Sequence, residues 1–348
     1  MGTISDKIKS LSNIKKAIKD KLSGLGLNPG DNFASYSSLI SSIKFSLAHL
    51  FDYSNYTSTD ASYYPTEISI SSSFSSSGNT SLDYTFAQNN TSGAVLTSIV
   101  FPSNWNTASC TTAANCFDNC TALTSLDLSS WDTSNIVNYS SIFHNDTSLT
   151  TITGLDTFNM SKGYNLGAMF SGCNNLVFPD LAAWSLINAA SIDSMFSSCK
   201  KLTSFCNEST MHPVATGGIF AYCDNLEKVN LPYLSMDGIA YGPWGIFYQC
   251  FKLHTIILGE AFGRAAKSMT LDLSQTGTIA TDDTVIGTGY SSYTFSDDTW
   301  TSFLNLYDRS AFTDSFTIKF HSNHKSNYAG WDAFVDQMTA KNYTITVG

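Results

Sequence analysis

The chain has 348 residues, 43% of them hydrophobic and only 13% charged, and its net charge is -10. This length and apolar content allow a sizeable buried core and argue against wholesale disorder, while the acidic balance argues against a basic face for nucleic acid. Ser, Thr and Asn take the place of charged residues, a composition typical of extracellular and virion-surface proteins. The sequence predicts no membrane insertion and no secretory signal, so we expect a chain kept in the cytoplasm or released by lysis.

Residues 1–51 form the first predicted unit. Apolar residues three and four positions apart predict an amphipathic helix that ends at Gly24, and a second apolar helix follows at about residues 35–51. An isolated helix of this kind is marginal in water. Its apolar side is therefore predicted to dock on another protein or on further copies of the chain, for example in a trimer. The residues of this docking or oligomerisation stripe are Ile4, Ile8, Leu11, Ile18 and Leu22.

The first unit also carries a resemblance. The pattern "IKKAIKDKL", followed by a Gly, a Pro and "DNFASYSSLISSI", resembles the N-terminal segment of phage tail and fibre proteins. The resemblance implies docking onto other virion proteins, and a helical cap folded onto the rest of the chain is the alternative. The Ser- and Thr-rich stretch 52–80 is predicted to be a linker or irregular cap, with strand-like alternation in "EISISSSFSSS".

Residues 81–260 contain an internal repeat of the form Phe-x-x-Cys-x-x-Leu. The first Phe of each copy, the anchor Phe, recurs at steps of 26, 27, 26, 24 and 27 residues. The anchors are Phe117, Phe143, Phe170, Phe196, Phe220 and Phe247, and a degenerate copy starts at Phe86. Three residues after each anchor lies a rung residue, which is Cys in every copy from Phe117 onward except for Asp146. The rung column is predicted to tolerate this exception near a repeat's edge.

A repeat of this length cannot bury its own apolar face, so successive repeats are predicted to stack. The Leu-x-x-Leu-x-Leu part predicts a short strand that pairs in parallel with the next repeat, about 4.8 Å away. The Phe-x-x-Cys-x-x-Leu part predicts one or two helical or 3₁₀ turns on the other side. The predicted fold class is an α/β repeat, namely a leucine-rich-repeat solenoid with short parallel strands.

The blocks "MFSGCNNL", "MFSSCKKL" and "LTSLDLSSWDTSNI" resemble the BspA-like leucine-rich-repeat family over roughly residues 80–260. That family occurs in bacterial surface adhesins and in phage tail and fibre proteins, so the resemblance implies surface recognition. Two departures are the Asp at position 146 and the loss of the Trp-Asp block after Trp184. Residues 261–348 lose the period and predict an α+β C-terminal cap with strands at 316–320 and 343–347.

The cysteines and histidines predict no metal site. Five of the eight cysteines lie one per repeat in the rung column, which favours burial as small apolar side chains over zinc binding or disulfides. Cys206 falls at a strand position predicted to face solvent and is the candidate reactive thiol. The histidines, including His321 and His324, are predicted to be surface residues.

Three polar residues are candidates for ligand binding. Asp127, Asp180 and Asn230 fall at strand positions predicted to face solvent, where they could contact a sugar or a cation, although a solvated face is the favoured interpretation. No nucleophile elbow, phosphate loop or dinucleotide fingerprint is present, so no catalytic residue, cofactor or enzymatic activity is predicted.

The sequence predicts a phage virion protein, of a tail or fibre, whose repeats recognise a host-surface glycan or protein. A bacterial cell-surface adhesin of the same repeat family is the first alternative. A structural virion component that binds only neighbouring virion proteins is the second.

Overall fold

The structure is a computed structural model that describes residues 66–70, 78–88, 96–239, 245–264, 268–274, 276 and 295–348. The predicted docking stripe, Ile4, Ile8, Leu11, Ile18 and Leu22, and the rest of the unit 1–51 lie outside the described residues, as does most of the predicted linker 52–80. The predictions for those segments stay predictions.

Short parallel strands dominate the described part of the chain. They form four sheets, in the orders β1-β2, β3-β4, β5-β6-β7 and β10-β9-β8, and every pairing in them is parallel. The strands are β1 Glu67–Ser69, β2 Ser98–Val100, β3 Ser125–Asp127, β4 Thr151–Thr153, β5 Ser204–Cys206, β6 Lys228–Leu231, β7 Thr255–Leu258, β8 Met269–Leu273, β9 Phe316–Phe320 and β10 Tyr343–Val347.

A second ladder joins the same repeats. Single parallel bridges connect one residue of each repeat to its equivalent in the next, in the series Ser81, Thr112, Asn138, Asn165, Ser191 and Ala215. Inward-facing residues of the strands, such as Leu126 and Ile152, are buried. The predicted parallel pairing of short strands is thereby confirmed, and successive repeats lie side by side in register.

The strand ladder is interrupted where the repeat contains Pro179. That repeat has no strand between β4 and β5, although the Val177 N–H still donates to the Thr150 carbonyl at 3.1 Å. Proline has no N–H to donate and is excluded from central strands. The row of strands therefore separates into the sheets β3-β4 and β5-β6-β7, whereas the sequence predicted continuous pairing.

The anchor segments form consecutive turns rather than the predicted helical or 3₁₀ turns. Around Phe143, Ser141 and Asn145 both have positive φ, at 54° and 60°, and the equivalent residues of the other repeats share this conformation. A residue in the left-handed region ends each turn, so a right-handed helix cannot continue. Alternate N–H groups also donate to the next repeat, as the Phe117 N–H does to the Ile142 carbonyl at 2.9 Å.

The C-terminal unit, residues 295–348, contains the α-helices of the described part of the chain. They are α1 Asp297–Leu304, α2 Ser322–Asn327 and α3 Trp331–Ala340, and β9 and β10 form at the predicted positions. Helix α1 covers the open edge of β7, since the Ile256 N–H donates to Thr299 Oγ1 at 2.8 Å and the Leu258 N–H donates to Ser302 Oγ at 2.7 Å. An unpaired strand edge would invite aggregation, and α1 closes it.

Candidate recognition surface

The rung thiols are buried and bonded to backbone. Cys199 Sγ donates to the Phe170 carbonyl at 3.2 Å, and Cys223 Sγ donates to the Phe196 carbonyl at 3.0 Å. Burial raises the pKa of both thiols, so they stay protonated at neutral pH. The eight cysteines are all free, and the predicted buried role is confirmed for the rung column. Cys206 is half-buried.

Asp146 corrects the prediction for the rung column. The carboxyl group lies fully buried rather than near a repeat's edge, and its Oδ1 accepts a hydrogen bond from the Cys120 N–H at 2.8 Å. The exception is therefore held by a specific polar contact, because a buried carboxyl group needs hydrogen-bond partners.

The predicted binding residues Asp127 and Asp180 are exposed, but the carboxyl group of each accepts a hydrogen bond from the residue two positions later in the chain. Asp127 Oδ1 accepts from the Ser129 N–H at 3.0 Å and from the Ser129 hydroxyl at 2.6 Å, which lowers the pKa of the Asp127 carboxyl. Asp180 Oδ1 accepts from the Ala182 N–H at 2.9 Å. A whole repeat, containing Thr153, lies between them in the sequence, and Asp180 belongs to the repeat that has no strand, so no strand pairing brings the two carboxyl groups together.

Asn230 differs from its prediction. Its side chain is half-buried, because β6 is the central strand of its sheet and is flanked by Cys206 of β5 and Ile257 of β7. Its Oδ1 is buried and has no hydrogen-bond partner among the described residues. The three predicted binding residues therefore do not converge on one site.

The histidine prediction is wrong for His324. This imidazole is 2% exposed and stacks on Phe295 with ring centroids 4.1 Å apart. Burial, together with the nearby His321, lowers its pKa to about 4. The described part of the chain contains no cluster of three His, Cys, Asp or Glu side chains that could hold a metal ion.

An apolar groove that the sequence reasoning missed lies along the bridge ladder. Four residues that each precede a bridge residue, Val137, Tyr164, Ala190 and Val214, line a groove of about 350 Å³ with the bridge residues Asn138, Asn165 and Ser191, and all of these four except Ala190 are exposed. Backbone hydrogen bonds of 2.8 Å join successive members of the row, so its spacing is fixed. Aligning the column before each bridge residue would have found this row.

The groove has a depression between two exposed side chains. Ala190 adds little bulk, whereas Tyr164 and Val214 on either side are 57% and 43% exposed. The amide oxygens of Asn138 and Asn165 accept from the Ser140 and Gly167 N–H groups at 3.1 Å, so both amides are held in place. The lining carries no charge and no nucleophile placed beside a base. It is suited to binding an uncharged or amphipathic surface.

Among the described residues, no helix has an apolar segment of the length that a membrane span requires. This finding covers α1, α2 and α3.

One family comparison matches part of the chain. Residues 80–211 match a family described as "Mycoplasma protein of unknown function, DUF285". No curated protein matches the chain, and no solved structure does. The matched stretch holds every residue of the groove lining except Val214, and it excludes residues 1–51 and the C-terminal unit. Residues 80–211 thus resemble this family of bacterial proteins, in agreement with a BspA-like repeat.

Proposed function

We propose that the protein is a surface-recognition protein whose repeats form a leucine-rich-repeat solenoid of the BspA-like type. The in-register bridges from Ser81 to Ala215 and the family match over residues 80–211 support this architecture. A stack of repeats gives a rigid, extended face, which is the usual binding surface of repeat proteins. The role is binding rather than catalysis, and it requires no cofactor or metal.

The apolar groove carries this proposal. Tyr164 offers an exposed aromatic ring beside the depression at Ala190, and exposed aromatic residues dominate the energetics of binding surfaces. Asn138, Asn165 and Ser191 border the ring, so polar contacts are available next to the apolar one. This combination suits a glycan or a protein on a host surface.

The preferred setting is a phage virion, in a tail or fibre. The resemblance of residues 1–51 to phage tail proteins supports it, and in this setting Ile4, Ile8, Leu11, Ile18 and Leu22 dock onto other virion proteins or form a homo-oligomer. Locating the protein in purified phage particles tests this assignment. If the protein is absent from every virion, the assignment to a tail or fibre is refuted.

A bacterial cell-surface adhesin is the second candidate. The description of the matched family as a Mycoplasma protein favours it. The same groove would then bind the surface that the bacterium colonises. Surface labelling of the bacterium that carries the gene separates the two settings.

The binding role is tested by substituting Tyr164 in the full chain. Tyr164→Ser should weaken binding to intact host cells by about 2 kcal/mol, roughly thirtyfold in Kd, since an anchoring aromatic ring is removed. Tyr233→Ser is the matched control, because Tyr233 is 52% exposed and lies outside the groove. Equal binding by the two variants would contradict recognition through the groove. If the unsubstituted protein binds no cells at high concentration, a structural virion role takes precedence.

A further inference from the structure

The rung thiols make two hydrogen bonds at once. Cys199 Sγ donates to the Phe170 carbonyl of the preceding repeat and accepts from the Cys173 backbone N–H. Cys223 and Cys250 repeat both contacts with the residues one repeat earlier. A thiol can do this because it carries one hydrogen to donate and lone pairs to accept. A replacement in this column must therefore offer a donor as well as an acceptor.

Asp146 occupies the same position in its repeat. Its Oδ1 accepts from the Cys120 N–H at 2.8 Å, which reproduces the contact of the thiol as acceptor. Its Oδ2 is buried and has no hydrogen-bond acceptor or donor assigned among the described residues. In the register of the other rungs, the carbonyl available to Asp146 is that of Phe117. An ionised carboxylate has no hydrogen to donate to it.

The charges around Asp146 give no support to an ionised carboxylate. The preceding repeat brings the Asp118 carboxylate and the Cys120 thiol towards it, and the following repeat brings the Cys173 thiol. His144, in the same repeat as Asp146, is paired with Asp118 at 2.8 Å. No ion pair of Asp146 is found within the described ranges. Burial, and secondarily the charge of Asp118, raises the pKa of Asp146 well above its usual value against the opposing effect of the Cys120 N–H.

We propose that Asp146 is held as a neutral carboxylic acid that donates its Oδ2–H to the Phe117 carbonyl, and that loss of this proton to solvent weakens the stack at this rung. The protein then contains one pH-sensitive joint between the repeats of Phe117 and Phe143. The joint weakens as the pH rises, because the folded chain keeps a proton that the unfolded chain releases near the ordinary pKa of Asp, about 3.9. Between that value and the folded pKa, the unfolding equilibrium constant rises about tenfold per pH unit.

Three variants of the full chain test the proposal. Asp146→Asn offers an acceptor and an N–H donor in nearly the same shape, so it should melt at or above the wild-type temperature at neutral pH. The melting temperature of wild type should fall below that of Asp146→Asn as the pH rises. Asp146→Cys restores the rung thiol and should behave like Asp146→Asn. Asp146→Ala removes the side-chain acceptor of the Cys120 N–H, which keeps only its 3.1 Å bond to the Phe117 carbonyl, so this variant should melt below Asp146→Asn at every pH.

A direct measurement on the wild-type protein reports the protonation state of Asp146 even if a variant fails to fold. The folded wild-type protein, labelled with ¹³C at Asp side chains, should show one protonated carboxyl resonance at neutral pH that Asp146→Asn lacks. Asp127→Asn, which removes an exposed carboxyl group, should leave that resonance in place. A carboxyl resonance of Asp146 that titrates near the ordinary Asp pKa would overturn the proposal. So would a wild-type protein that melts above Asp146→Asn throughout the alkaline range.

Discussion

Phe170 and Trp300 are both buried aromatic residues, but their surroundings differ. Phe170 stacks between Phe143 and Phe196, with ring centroids 5.4 and 5.6 Å away and planes within 15° of parallel. The same contact recurs along the whole column, from Phe86 to Phe247. Each repeat therefore contributes a similar share of the packing, as expected for a repeat protein.

Trp300 instead lies at the centre of a cluster without any period. It stacks on Tyr328 with ring centroids 4.2 Å apart and meets the edges of Phe295 and Phe334. These partners come from different elements of the C-terminal unit, and α1, which carries Trp300, also covers the edge of β7. Packing in the repeats is therefore distributed over many equivalent residues, whereas packing in the C-terminal unit depends on a few.

The largest expected effect comes from Trp300→Ala. It should lower the free energy of unfolding by about 3–5 kcal/mol, because a large buried ring is lost and α1 loses its hold on β7. Cys199→Ala is the comparison variant in the repeats and should cost about 2 kcal/mol, because it removes the hydrogen bonds of the thiol to the Phe170 carbonyl and from the Cys173 N–H. Denaturant unfolding measures both values. Similar losses in the two variants would contradict the difference between the two regions.

A second test uses pH, because His324 is buried beside Phe295 in the C-terminal unit. Its pKa is lowered from 6.5 to about 4, so the unfolded chain binds the extra proton first as the pH falls. The stability that the neutral His324 contributes is complete above pH 6.5. It is lost as the pH drops towards 4, which lowers the free energy of unfolding by up to about 3 kcal/mol.

His324→Phe removes this titration while keeping a ring against Phe295. The melting temperature of the variant should fall less than that of wild type between pH 6.5 and 4. Parallel melting curves for the two proteins over this range would show that His324 does not control acid stability. The effect expected at Asp146 has the opposite sign and overlaps this pH range, but both proteins contain Asp146, so the difference between their melting curves isolates His324.

The repeats were predictable from sequence because each of their contacts recurs. The columns of anchor Phe and rung Cys were visible as a period, and their burial follows from it. Pro179 was visible too, but a break in the strand ladder follows only from its missing N–H at a pairing position. His324 could not be placed, because its burial depends on Phe295, a residue distant in sequence and outside any repeat.

The candidate site was predicted less well than the fold. The alternation of apolar and polar residues placed Asp127 correctly on the solvent side, but it could not show that the carboxylate already binds the Ser129 hydroxyl. Nor could it show that neighbouring strands on both sides partly bury Asn230. The groove escaped notice because Val137 and Tyr164 are apolar residues, for which burial is the ordinary expectation. Backbone pairing at the bridge ladder forces them outward instead.

Asp127→Asn should have the smallest effect on stability and on binding. It compares the solvent-facing side of the strands, here called the strand face, with the groove. Asp127 is exposed and its Oδ1 binds Ser129, a contact that the Asn amide oxygen can keep, so stability should change by less than about 0.5 kcal/mol. Binding to host cells should also stay at the wild-type level, because the carboxylate lies outside the groove lined by Tyr164 and Ala190. If Asp127→Asn weakens binding while Tyr164→Ser does not, the recognition surface is the strand face that the sequence first indicated.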